Sequence, residues 1–184
     1  YLKKKAENNW VLNTHPPQKK YASFIIVPAK AEFNNLPTLL NSISRQNAEC
    51  LQNCLTLIVF NNSREDSQNI FNNNKKSIEY IKKTEFEFDI CYVDACSNDK
   101  MLPKKNEGVG LARKIGTDLA LNYCQELSVI CYTDADVILS NDYLKTIIKY
   151  YKRHICGCAI VGFKHQKNEE QIIEKSIQEY ERFL

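Results

Sequence analysis

Two aspartates one residue apart, Asp134 and Asp136, follow the apolar run 128–132 in the stretch CYTDADVILSNDYL (131–144). Alternate residues of an extended strand point to opposite sides, so this pair serves one ligand only where the chain bends. With a bend, both carboxylates could converge on one cation. Oxygen-only ligands suit a hard divalent ion, magnesium (Mg2+) or manganese (Mn2+). Without a cation or a shared proton, two neighbouring carboxylates repel each other. The plainer expectation is that they start a turn, where Asp is common.

The elements that must hold them are short apolar runs alternating with helical patterns. SFIIVP (23–28), LTLIVF (55–60), DICYVDA (89–95), SVICYTD (128–134) and CAIVGF (158–163) read as five strands. Leu36, Leu39, Leu40 and Ile43 recur at helical spacing, with Asn35 as the expected cap and Pro37 in the first turn. A polar helix is expected over 66–83. Another carries Val109, Ala112, Ile115, Gly116, Leu119, Ala120 and Tyr123 on one face, and Cys124 closes it. Leu144, Ile147, Ile148 and Tyr151 mark a further helix, and Asn168 is expected to cap the last one. Continuous apolar strands between helices predict an α/β fold, a mostly parallel central sheet flanked by helices. Such sheets take ligands at the carboxyl ends of their strands. Asp134 and Asp136 fall on that edge.

Composition narrows the rest. The 184 residues suit one packed domain, and 43% apolar with 26% charged residues is ordinary for a globular protein. A net charge of +3, spread thinly, gives no reason to expect a nucleic-acid partner. No apolar stretch approaches the roughly 20 residues that span a bilayer. Residues 1–21 are polar, with Pro16-Pro17, and read as an N-terminal tail or arm before a domain over 22–184. The eight cysteines lack paired zinc-site spacing and are expected as reduced, mostly buried thiols, which fits a cytoplasmic location. Gly108-Val109-Gly110 precedes a helix but follows a long loop, unlike the glycine turn of dinucleotide-binding folds.

Four segments in order, SFIIVPAKAEFNNLPTLLNSISRQ, LTLIVFNNS, GVGLARKIGTDLAL and YTDADVILSNDYL, resemble the nucleotide-sugar-binding half of family 2 glycosyltransferases. The resemblance implies a GT-A-type Rossmann-like sandwich and a metal-dependent transferase. Its donor would be a nucleoside diphosphate sugar, by family a uridine or thymidine one, and its acceptor an unknown glycan, lipid or protein. It implies donor contacts from Pro28, Ala29, Lys30, Glu32, Asn61, Asn62, Arg113, Asp134 and Asp136. Mn2+ or Mg2+ would be held by Asp136, with Asp134 towards the ribose or a metal-bound water. The chain departs from the family pattern at Lys30-Ala31, where Tyr-Asn is frequent, at Phe60-Asn61-Asn62, where Asp is frequent, and at Lys114, where Asn is frequent.

Two alternatives share these letters. One is a catalytically silent nucleotide-sugar-binding module. The other is a haloacid-dehalogenase-type phosphotransferase, whose D-x-D motif would make Asp134 the nucleophile. The chain opens on Tyr1 and its last helical pattern runs to Phe183-Leu184. The expectation is therefore a domain truncated before the acceptor and catalytic-base region, with Asp99, Glu107 and Glu169 the carboxylates left to consider.

Overall fold

The computed structural model describes residues 1–104, 108–165 and 170–182. Four of the apolar runs become strands: β1 (Tyr21–Ala29), β2 (Cys54–Asn61), β3 (Ile90–Ala95) and β4 (Cys124–Tyr132). They lie in the order β3-β2-β1-β4, every neighbouring pair parallel. Central β1 and β2 are buried almost throughout, which is why their sequences run apolar without alternation. Edge strand β4 is mostly half-buried or exposed.

Seven helices are described: α1 (Leu2–Lys5), α2 (Leu36–Ser44), α3 (Ala48–Gln52), α4 (Gln68–Lys83), α5 (Val109–Ala120), α6 (Tyr143–Arg153) and α7 (Gln171–Glu181). The strand period of two divides the core. Ile25, Val27, Ile58 and Phe60 pack with Leu36, Leu39, Ile43, Ile81 and Leu144 of α2, α4 and α6. On the opposite face Phe24, Ile26, Leu57 and Val59 pack with Ala112 and Ile115 of α5, together with Trp10 and Leu12. Gly116 lets α5 sit close: a Cβ there would come 2.6 Å from Ile26 Cγ2.

The chain divides into two compact units, Tyr1–Arg153 and His154–Leu184. In the second, α7 is tied to the chain before it. The Glu181 carboxylate accepts the His165 backbone N–H at 2.8 Å and lies 3.0 Å from His165 Nδ1.

Several expectations change. The run 158–163 is not a strand: no ladder forms with it among the described residues, and Ile160 is 97% exposed. Apolar letters mark a segment able to pair, but a strand needs a neighbour. Cys124 opens β4 instead of closing a helix, because the helical turn ends at Tyr123. Asn35 makes no side-chain cap; it donates to Glu32 instead. Asn168 and the Phe183-Leu184 pair lie outside the described residues. Of the eight free cysteines, four are buried, three intermediate, and Cys158 is exposed.

Candidate functional site

The strand order creates the site. From β1 the chain moves to β2 and β3 on one side, and β4 then takes the other side of β1. The segments that follow β1 and β4 meet on one face of the sheet, where Leu139 N–H donates to Ser42 Oγ and Gln46 Nε2 to the Ser140 carbonyl, so the carboxyl ends of these two strands share one edge. Pairing of β1 with β4 stops at Ile26–Tyr132, and Thr133 N–H still reaches the Ile26 carbonyl. Just beyond stands Pro28, which has no N–H to extend a ladder.

Past β4 the chain bends: Val137 N–H donates to the Asp134 carbonyl, closing a turn. Ala135 points into the core at 2% exposure, while Asp134 and Asp136 on either side are exposed. Asp134 Oδ1 accepts from Arg113 Nη2 at 2.7 Å. The Arg113 Nε is buried without a partner in the structure. A second link joins the same elements, with the Thr117 and Tyr132 hydroxyls 2.8 Å apart. Asp136 makes no side-chain hydrogen bond or ion pair among the described residues.

The other wall is the loop after β1. Pro28 and Ala29 are buried at the end of that strand, paired with Val59 and Phe60. Ala31 adopts a left-handed φ of 61°, an uncommon conformation for a residue with a Cβ. Asn74 of α4 stabilises it: its Oδ1 accepts the Ala31 N–H and its Nδ2 donates to the Asn61 carbonyl. Asn73 Oδ1 likewise takes the Phe33 N–H. Lys30 Nζ lies 2.7 Å from Asp66, whose other oxygen accepts the Ser63 N–H. Burial opposes ionisation of Asp66, yet Lys30 and that N–H hold its carboxyl below the usual range. Glu32 is engaged by Asn35 at 2.7 Å.

Asn61 and Asn62 are buried at 4% and 1% exposure, and both side-chain oxygens lack a hydrogen-bond donor among the described residues. Unpaired buried acceptors are costly and uncommon. At the end of β3, Asp94 accepts the N–H groups of Cys96 and Ser97. Burial works against its charge, but these donors hold the carboxyl below the ordinary range.

The turn at Asp134–Asp136 and Arg113 thus meet at one place. Lys30 and Glu32 lie in the loop after β1, Asn61 ends β2, and Asn62 follows it. Sequence reasoning missed Asn73, Asn74, Asp66 and Asp94. Asn74 had a signal, because it shares a face with Ser77 and Ile81, the buried stripe of α4. Glu107 and Glu169 lie outside the described residues, and Asp99 is fully exposed.

The family model of Glycosyl transferase family 2 matches residues 24–184, and the chain belongs to that family. Its sandwich of helices around four parallel strands is the Rossmann-like GT-A type. Among solved structures it is similar to the crystal structure of TarS 1–349 from S. aureus, at 15% identity and a TM-score of 0.48. That match covers 76% of this chain and 38% of the other, so the chain spans well under half of it. No curated protein matches the chain. The phosphotransferase reading of Asp134 is thereby set aside.

Among the described residues no three or more His, Cys, Asp or Glu side chains converge as a metal cluster. Two exposed carboxylates still fit a magnesium-type ion, which commonly takes one or two carboxylates and completes its shell with phosphate oxygens and water. Among the described residues no helix is long and apolar enough to cross a membrane.

Proposed function

We propose that the edge at the carboxyl ends of β1 and β4 binds a nucleoside diphosphate sugar and that the chain serves glycosyl transfer to a glycan, lipid or protein acceptor. The observation that carries this reading is the exposed Asp134–Asp136 turn at the switch point, with Arg113 on one of its carboxylates. Asp136 and Asp134 would hold Mn2+ or Mg2+, which supplies positive charge to the diphosphate as it leaves. Arg113 can exchange its carboxylate for a phosphate oxygen, since guanidinium binds both in the same planar geometry. That exchange leaves Asp134 available to the ribose or to a metal-bound water. The loops bearing Pro28, Ala29, Lys30 and Glu32 shape the nucleoside pocket. The unsatisfied oxygens of Asn61 and Asn62 suit donors such as a pyrimidine N–H.

Calorimetry tests this reading. Uridine diphosphate should bind at least tenfold more tightly with manganese than without, an effect on the order of 1.4 kcal/mol. Asp136→Asn should abolish that difference and leave the unfolding midpoint unchanged, because the side chain is exposed. Equal binding with and without metal would refute the assignment. Competition by guanosine diphosphate decides the base.

A further inference from the structure

Residues 1–23 precede the span that matches the family, yet part of this segment is built into the larger unit. Trp10 and Leu12 are buried in the core cluster beneath α5. Leu12 bridges Val93 on the outer edge of β3, and Asn13 N–H donates to the Tyr92 carbonyl. Asn13 Oδ1 accepts the N–H of Asp94 at 2.9 Å, so the arm also sets the residue that ends β3.

Two further contacts bracket the approach to the site. Trp10 Nε1 donates to the Lys100 carbonyl at 2.7 Å, in the loop that leaves β3. On α5, Lys114 Nζ donates to the Lys5 carbonyl at 2.8 Å, lies 3.2 Å from Glu7, and pairs with Asp118 at 2.7 Å. Asp118 is 2% exposed, and besides Lys114 it accepts the Glu7 N–H and the Tyr1 hydroxyl, each at 2.8 Å. The arm therefore grips the chain on both sides of the connection into α5. Lys114 directly follows Arg113, the residue that reaches Asp134. It also stands where the family frequently has Asn, so the departure has a structural partner.

We propose that residues 5–13 are a positioning element for the donor site, fixing through Lys114 and the Lys100 carbonyl the helix that aims Arg113. The proposal rests on the donor-site reading above. Lys114 itself is held by two groups of the arm, the Lys5 carbonyl and Glu7, and by Asp118 of its own helix, and acts on the ligand only through its neighbour.

A double-mutant cycle in the full chain tests it, with uridine diphosphate and manganese as the probe. Lys114→Met should weaken binding about fivefold, the scale of coupling through a packed element. Lys114→Arg, which keeps the charge and the hydrogen bonds, should restore most of it. In an Arg113→Met background, Lys114→Met should cause no further loss, because its route to the ligand is already gone. Should Lys114→Met fail to fold, Trp10→Phe replaces it in the same cycle, keeping the ring while deleting the donor to Lys100. An equal loss in both backgrounds would mean that Lys114 acts as a general positive charge, and that overturns the proposal. No loss in either background overturns it as well. If the parent chain does not bind uridine diphosphate with metal, the donor-site reading itself falls and takes this proposal with it.

Discussion

Asn74 shows how a single polar side chain can stabilise an uncommon backbone. It is buried inside a helix, and each end of its amide answers a different main-chain group, the Ala31 N–H in the loop after β1 and the Asn61 carbonyl at the end of β2. Truncation would strand both, at about 1–3 kcal/mol for each group left unpaired. Asn74→Ala should therefore lower the urea midpoint clearly, whereas Asn72→Ala on the exposed face should stay within about 0.5 kcal/mol of the parent. Nucleotide affinity should fall with Asn74→Ala beyond what the stability loss explains, because Ala31 and Asn61 flank the proposed donor site. The salt bridge of Arg113 with Asp134 differs in kind. Both partners are partly exposed, so the pair is worth only about 0–1 kcal/mol to the fold. Its value lies in placing a guanidinium at the turn that carries Asp134.

At the scale of elements, α5 is the lever of the site, and two of its glycines answer different needs. Gly116 faces Ile26 and Val59, whose methyl groups would lie 2.6 and 3.2 Å from an added Cβ. Gly116→Ala should cost about 1–3 kcal/mol through overpacking, more than the roughly 1 kcal/mol that alanine gains in a helix. Gly110 meets nothing within 4 Å, and Gly110→Ala should stabilise by up to about 1 kcal/mol. Opposite shifts in thermal midpoint check both. The same helix shows what a sequence reveals. Ala112, Ile115 and Gly116 at helical spacing announce its buried face, and four apolar runs announce four strands. The turn at Asp134 was equally legible, since a polar pair had to follow the last buried residues. The arm was not, because Trp10-Val11-Leu12 is a run of only three apolar residues in a polar stretch, too short to show a period. The run 158–163 misled for the converse reason: it has the letters of a strand and no partner among the described residues. Asn61 and Asn62 read as turn residues, and only their burial reveals two acceptors without donors.

At the scale of the whole molecule, the sheet sorts the thiols. Burial pushes Cys54 and Cys96 up to about 12 and Cys91 and Cys131 up to about 11, so all four remain protonated at neutral pH. The thiolate is the reactive form. Iodoacetamide should therefore modify exposed Cys158 first and leave these four untouched until the protein unfolds. Peptide mapping of the native protein over time checks the order. Early labelling of Cys54 or Cys131 would mean that the sheet opens far more readily than its burial implies.

The strand order β3-β2-β1-β4 also sets the sequence in which the sheet can be built. Ile26 pairs with Leu57 on one side and with Tyr132 on the other. The second closure spans a loop roughly three times longer and costs about 1 kcal/mol more in chain entropy. Pairing of β1 with β2 and of β2 with β3 should thus nucleate folding, and β4 should dock after the rate-limiting step. Conservative core substitutions in β2, such as Ile58→Val, should slow refolding, while Ile130→Val in β4 should mainly speed unfolding. The Asp134–Asp136 turn would then be the last part of the sheet to form and the first to be lost, and a ligand bridging β1 and β4 would act on the unfolding rate above all.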